Sequence, residues 1–363
     1  MSKGKREYKI ALVGDCLAGG GAEKVHAILS VFFESKGFSV HNIILIDEVT
    51  YTYSGVLFNL GKLKTTTIYD KLKRVYLLRN YFIKNDFDFI IDFRYRVNTI
   101  NELLIAHFAY NLPAIYTVHS GIIDFYIPKR TRIAKLIYSK HQFVTVSKAI
   151  EKAIQQKLNI PVNTINNPFE IDKVKELSNQ FMPQEEKFIV AVGRMNDKVK
   201  QFDKLILAYA DSILPRQKIK LLIIGSGQYL DELIELVEQK NLGNDVIFKG
   251  YQNNPHVYQK NALFSVISSV NEGFPNVIVE SLITGTPVVS FDCFSGPNEI
   301  IIDKYNGLLV EDQNVSKLTE ALNTMVTDKD LYLHCKNNAT ISAEPFSVDV
   351  IGNQWLRFLK INY

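Results

Sequence analysis

Cysteine is scarce: Cys16, Cys293 and Cys335 stand far apart in 363 residues, with no CxxC spacing. That pattern excludes a disulfide framework and a cysteine-based zinc site, and it suits a reducing cytosol. No stretch reaches the ~18 apolar residues of a spanning helix, so a chain of this kind that meets a membrane lies on it. The basic opening MSKGKREYKIALVG has only a short apolar run and no small-residue cleavage pattern, so no signal peptide is read there. Low-complexity tracts are missing. A Walker GK[ST] and a complete GxGxxG are missing too, which removes the commonest phosphate-loop and dinucleotide readings.

What is present is an ordinary globular composition, 47% hydrophobic and 22% charged, at a length that predicts two domains. The first half alternates short β-branched runs with helical periodicity. YKIALVG (8–14) reads as a buried strand, followed by a glycine turn and a helix with Ala22, Val25, Ile28, Leu29, Phe32 and Phe33 on one face. SVHNIILID, FDFIIDF, PAIYTVH and FVTVS follow as strands. Residues 158–187 break the alternation with Pro161, Pro168 and Pro183, and read as a hinge or linker. FIVAVGR, KLLIIGSG, DVIFKGY, LFSVISS, TPVVSFDC and NGLLV then restart it. The expected fold class is α/β: two Rossmann-like, doubly wound domains facing across a cleft, with ligands beyond the carboxyl ends of the strands.

Charge is placed unevenly. Residues 1–170 hold 23 Lys and Arg against 14 Asp and Glu, a balance of +9, and the remainder carries −5. A basic first half points to an anionic partner, either phospholipid, a lipid-diphosphate acceptor or nucleic acid. Two amphipathic basic segments contribute. Residues 65–84 set Ile68, Leu72, Val75 and Tyr76 against Lys71, Lys73, Arg74 and Arg79, and residues 128–140 set Ile133, Leu136 and Ile137 against five basic residues. Core-facing helices with solvated rims have the same pattern. Taken with the charge balance, they point to peripheral membrane association. No recognition motif supports nucleic acid. Arg94 and Arg96, just after a strand end, are placed to meet an acceptor phosphate.

Three sites carry ligand chemistry. Gly19-Gly20-Gly21 opens the first helix, where glycines let backbone N–H groups approach an anion. Gly225-Ser226-Gly227 repeats the strand–glycine–helix turn, and a plain tight turn accounts for it equally well. The third is NEGFPNVIVESLITGTPVVSFDCFSGPNEII, residues 271–301. Glu272 follows a strand and Glu280 comes eight residues later, one turn into a helix that begins near Asn276. Helical side chains tilt toward the N-terminus, so Glu280 is expected to point back toward Glu272. The first-turn N–H groups suit phosphate oxygens, and the carboxylates suit ribose and hexose hydroxyls.

This stretch resembles the E-x7-E signature of retaining GT-B glycosyltransferases, the large family 4-like group of bacterial capsule, O-antigen and lipid-linked-oligosaccharide sugar transferases. GGGAEKV, His119 in YTVHS, Val146-Ser147, INNPFEID, VGR with a following lysine, IGSG, FKGY, SGPNEII and NGLLV match in the same order across nearly the whole chain. The resemblance implies an acceptor-binding domain over 1–168, a nucleotide-sugar domain over 169–345, and a C-terminal helix over 346–363 that crosses back. It implies that Arg194 and Lys200 clamp the donor diphosphate, with Lys198 a rival for Lys200 because KQF replaces the usual lysine-glycine pair. Glu280 would hold ribose. Glu272, Gly273, Phe274, Pro275, Asn276 and Val277 would hold the sugar and phosphates. His119 would face the sugar or acceptor, Gly20, Gly21 and Gly225 would pass close to the phosphates, and Tyr251 would flank the base. Arg94 is kept as the acceptor contact.

The expected function is transfer of a hexose or N-acetylhexosamine from a UDP-sugar to a glycan or lipid-diphosphate-linked acceptor. Neither cofactor nor metal is expected, because the only DxD spacing near a strand, Asp86-Phe87-Asp88, precedes that strand. The expected location is cytoplasmic, peripheral at the inner face of the cell membrane. Two rivals share the fold: a nucleotide-sugar epimerase, and a non-catalytic nucleotide-sugar-binding partner subunit.

Overall fold

A computed structural model describes residues 7–63 and 68–361. The opening MSKGKR and residues 65–67 of the first amphipathic segment lie outside them. The chain forms two compact units, one of residues 1–169 with 348–363 and the other of residues 170–347.

The first unit is built on seven parallel strands: β1 (Lys9–Gly14), β2 (Ser39–Ile44), β3 (Val56–Asn59), β4 (Phe89–Asp92), β5 (Ile115–Val118), β6 (Gln142–Thr145) and β7 (Val162–Thr164). Their order is β3-β2-β1-β4-β5-β6-β7, so the topology switches between β1 and β4. Ile10 and Leu12 of β1 are fully buried, as a strand covered on both faces requires. The helix Gly21–Ser35 buries Val25, Leu29, Phe32 and Phe33 against them. The helix Val348–Phe358 joins the same core through Ile351, Trp355 and Leu356. It lies so close to the first helix that a Cβ on Gly352 would strike the Phe32 ring.

The second unit has six parallel strands: β8 (Phe188–Val192), β9 (Lys220–Ile224), β10 (Val246–Gly250), β11 (Ser265–Ile267), β12 (Val288–Phe291) and β13 (Gly307–Val310). Their order is β10-β9-β8-β11-β12-β13, with the switch between β8 and β11. In open parallel sheets, ligands bind beyond the carboxyl ends of the strands at such a switch. In the first unit that place is held by Asp15 and Phe93, and in the second by the Arg194 loop and the Ser268–Glu272 loop.

Two strands escape the sequence reading. β3 carries no clear alternation, and β7 lies inside the stretch read as a hinge. That stretch also contains the helix Ile171–Leu177, and the boundary between the units falls at Phe169 and Glu170. Pro161 stands just ahead of β7 at the edge of the sheet, a position where a missing N–H leaves no ladder bond unmade.

Candidate active site

The second unit brings Lys200 and Glu272 together. Lys200 Nζ donates to Glu272 Oε1 at 2.6 Å, and Ser269 Oγ donates to the same oxygen at 2.6 Å. The turn that carries Lys200 is pinned from beneath. Ser268 Oγ donates to the Lys200 carbonyl at 2.7 Å, and the Val270 N–H donates to the Val199 carbonyl at 2.9 Å. The stem of Lys200 passes 3.1 Å from where a Cβ on Gly193 would stand, so the lysine packs closely over this glycine. Lys198 points elsewhere: its Nζ meets Glu232 at 2.9 Å and lies over the Tyr229 ring. Of the two lysines, Lys200 is the one at the glutamate loop. Arg194 is exposed at the start of this loop and makes no ion pair among the described residues.

Gly225 and Gly227 have a structural reason of their own. Gly225 has φ +144°, and a Cβ there would collide with the Gly193 carbonyl; one on Gly227 would collide with Met195. These glycines let the loop after β8 lie against the loop after β9, and so they set the position of Arg194 and Lys200. Tyr251, just past β10, is 73% exposed.

The helix expected near Asn276 runs Asn276–Ile283, and its cap, Pro275, makes no side-chain hydrogen bond to the first turn. Gly273, Phe274 and Pro275 are buried, and Asn276 and Val277 are half-buried. Ser295 Oγ donates to the Gly273 carbonyl at 2.8 Å, and Gly296, at φ +97°, packs where a Cβ would strike Pro275. The SGP turn thus braces the GFP turn. Glu280 is 8% exposed within this helix. A small cavity beside the loop is lined by Lys200, Ser269, Glu272, Pro275 and Val277, but not by Glu280. A second cavity, of about 400 Å³, opens between the helices Phe202–Ala210 and Leu230–Gln239; Lys200 lines it, and neither glutamate does. Lys200 thus lines both cavities, and Glu272 only the smaller one.

In the first unit, His119 follows β5. Neither ring nitrogen has a hydrogen-bond partner, and both are buried. Burial and then the nearby Arg96 guanidinium lower its pKa to about 3, against the influence of Asn167. The imidazole is therefore neutral near pH 7, with the Asn167 side chain beside it. Phe93 lies beside it, with ring centroids 5.8 Å apart, and His26 stacks on Phe93 at 5.1 Å.

Arg94 requires a correction. It is 4% exposed and saturated: its guanidinium pairs with Asp92 at 2.5 Å and with Glu102 at 3.1 Å. Arg96 is 2% exposed, lies between the rings of Tyr116 and Tyr126, and donates to the Thr117 and Tyr126 carbonyls. Burial works against the Asp92 carboxylate, but Arg94 and Arg96 hold its pKa below the usual value. Arg96 of this network acts on His119, and a phosphate reaches Arg94 only by breaking its pairing with Asp92 and Glu102. The glycine turn also differs from expectation. A Cβ on Gly20 would collide with the Glu23 carboxylate, which therefore lies over the turn. Gly21 is exposed as the first residue of the helix. A diphosphate brought to Gly20 meets the Glu23 carboxylate.

Ser269 and Asn167 went unnoticed in the sequence, where a serine before an acidic loop and an asparagine before a proline carry no pattern. Among the described residues, no group of three or more His, Cys, Asp and Glu side chains is placed to hold a metal ion. Asp88 sits at the amino end of β4, where its carboxylate accepts the Lys9 N–H at 2.9 Å. No helix of the described residues is long and apolar enough to cross a membrane.

Two parallel-sheet Rossmann-like units with a glutamate loop at the switch of the second define a glycosyltransferase of GT-B fold. Residues 172–341 match the family described as glycosyl transferases group 1. A Campylobacter jejuni relative, the N-acetylgalactosamine-N,N'-diacetylbacillosaminyl-diphospho-undecaprenol 4-alpha-N-acetylgalactosaminyltransferase, is 30% identical over 94% of this chain and 97% of its own length. The chain belongs to this glycosyltransferase family. A second C. jejuni relative, a GalNAc-alpha-(1->4)-GalNAc-alpha-(1->3)-diNAcBac-PP-undecaprenol alpha-1,4-N-acetyl-D-galactosaminyltransferase, is 26% identical over 97% of this chain and 98% of its own. Among solved structures, Anabaena HepE in complex with UDP shares the fold at TM-score 0.76 and 20% identity, covering 97% of this chain and 99% of that one.

Proposed function

We propose that the protein transfers a hexose or N-acetylhexosamine from a UDP-sugar to a lipid-diphosphate-linked glycan in surface-polysaccharide synthesis, with retention and without metal or other cofactor. The observation that carries this reading is the 2.6 Å contact between Lys200 and Glu272 at the foot of the helix Asn276–Ile283. One ammonium there serves both a diphosphate and the carboxylate that orients the sugar, while Arg194 and the helix N-terminus add positive potential. His119 offers a neutral hydrogen-bonding group for the sugar or acceptor. Glu280, Tyr251 and the 273–277 turn are assigned to the donor.

In this reading the bond between the anomeric carbon and the phosphate oxygen breaks, and the acceptor oxygen attacks from the same face. The acceptor proton passes to the departing diphosphate. Lys200 and Arg194 stabilise charge that grows on that leaving group, the role a metal fills elsewhere. The Asp86–Asp88 spacing, at the amino end of its strand, is on the wrong side of the sheet to hold one. Acceptors of the two C. jejuni relatives are undecaprenyl diphosphates by name, and the basic first half of this chain suits such a partner and an anionic bilayer.

The experiment is transfer by the purified protein from UDP-hexoses and UDP-N-acetylhexosamines to a lipid-linked glycan carried in phosphatidylglycerol vesicles, in EDTA. Expected are a product with the donor's anomeric configuration and protein that sediments with the vesicles. Inverted product, loss of activity in EDTA, or equal recovery with neutral vesicles would each overturn the corresponding part. Turnover of donor without acceptor into an epimer would favour the epimerase reading instead.

A further inference from the structure

Past β4 the chain alternates. Arg94 and Arg96 are buried, and Tyr95 and Val97 are exposed, as successive residues of an extended segment are when one face is covered. Arg96 ties the segment down. Its guanidinium donates to the Arg94 carbonyl at 2.9 Å, to the Thr117 carbonyl at 2.9 Å and to the Tyr126 carbonyl at 3.1 Å. Its own N–H donates to the Phe125 carbonyl at 2.8 Å. Backbone after β4, within β5 and at the turn Ile123–Phe125 is thus held together by one buried residue. Two rings leave this frame toward solvent: Tyr95 is 45% exposed and Phe125 is 42% exposed. Their centroids are 6.1 Å apart with the planes at 82°, and Tyr95 packs on the buried Tyr126 ring at 5.1 Å.

Asp15 stands beside them. It follows β1 at the switch in strand order, and its carbonyl accepts the Leu45 and Ile46 N–H groups at 3.1 and 2.8 Å. One carboxylate oxygen accepts the Tyr95 N–H at 2.8 Å, so the carboxylate lies against the backbone from which the Tyr95 ring springs. The other oxygen meets no donor among the described residues, and Asp15 is half-buried. Burial raises the Asp15 pKa, against the Tyr95 N–H and Arg94. A partly desolvated carboxylate with an unmet oxygen favours a ligand that donates hydrogen bonds. Arg94 is already paired with Asp92 and Glu102, so Asp15 disfavours a phosphate here. A pyranose fits both halves of the place: its hydroxyls donate to a carboxylate, and its C–H face lies on aromatic rings.

We infer that Asp15, Tyr95 and Phe125 form a subsite for a pyranose of the acceptor glycan, with a sugar hydroxyl donating to Asp15 and the C–H face lying on the two rings. The inference rests on the transferase reading for calling this sugar the acceptor, but its binding test does not. In place of Arg94 holding a phosphate, the first unit holds the acceptor by its sugar.

The test is saturation-transfer NMR of the methyl α-glycosides of glucose, galactose, N-acetylglucosamine and N-acetylgalactosamine, each titrated into the full chain in saturating UDP. The native protein is compared with Asp15→Asn, Tyr95→Leu and Phe125→Leu. Expected is binding of at least one glycoside with saturation strongest on its ring C–H protons. Asp15→Asn should weaken that binding by about tenfold, and each ring replacement by several-fold. Tyr95 and Phe125 are exposed, so their variants guard against a folding defect in Asp15→Asn, and the UDP-induced rise in melting temperature should be unchanged in all three. No glycoside bound by the native protein, or binding unaltered in every variant, would overturn the subsite. Glycoside binding that the variants weaken, in a protein that transfers no sugar from any UDP-sugar, would leave the subsite standing and sink the transferase reading.

Discussion

Glu272 and Glu280 differ in what they touch, and so should their variants. Glu280, buried in its helix, is assigned to ribose, whose charge does not change during transfer. Its loss removes ground-state and transition-state binding alike. Glu280→Gln is expected to raise the donor KM more than it lowers kcat. Glu272 shares its carboxylate between Lys200 and Ser269 and is assigned, in the proposed reading, to the reacting sugar, which gains positive character as the phosphate leaves. Glu272→Gln is expected to lower kcat by roughly 10², the scale of one preorganised electrostatic contact. Steady-state kinetics on both, with melting temperatures as a control, checks this. A reversed pair of profiles would mean that the donor runs the other way along the loop. The sequence showed this pair because a glutamate, a Gly-Phe-Pro turn and a second glutamate lie within nine residues. Arg94 misled because strand-end position says nothing about burial: Asp92, Glu102 and Tyr110 come from three separate elements, and only folding assembles them.

The loops after β8 and β9 act as a unit, and Gly225 is where they meet. Gly225→Ala would place a methyl against the Gly193 carbonyl and force a side chain to adopt φ +144°. The expected cost is about 1–3 kcal/mol. Because the displaced loop carries Arg194 and Lys200, UDP affinity should fall as well. Thermal melting with and without UDP reads both effects; a variant that melts lower but keeps its full UDP shift would separate the glycine from the donor site. Strands whose apolar runs are long and β-branched were readable in advance, β1, β8 and β9 above all. β3 and β7 were not. They are edge strands of four and three residues, half open to solvent, where pairing with a neighbour rather than side-chain periodicity defines the element. The helix Ile68–Asn85 was readable as amphipathic, but not as to which of its two apolar stripes faced inward.

The two units should respond differently to acid. Burial is the main cause that lowers the pKa of His26 to about 4, of His119 to about 3 and of His141 to about 4, and all three belong to the first unit. The folded state keeps them neutral where the unfolded chain would take up a proton. Their contribution is intact above about pH 6.5 and is lost as pH falls from there toward 5, by up to about 1.4 kcal/mol per pH unit for each. Scanning calorimetry between pH 7 and 5 should show one transition moving down steeply. That transition should be the one UDP does not shift. A steep loss in the UDP-shifted transition instead would contradict the placement of these histidines as the acid-sensitive groups.

The helix Val348–Phe358 gives the molecule a history as well as a shape. Trp355, Ile351 and Leu356 complete a hydrophobic core begun by Ile10 and Leu12, and all of residues 170–347 lie between them in the chain. During synthesis, the second unit is therefore finished while the first still lacks a wall. The unit begun first is therefore the last to close, with Phe32 and its neighbours held open until Trp355 has been made.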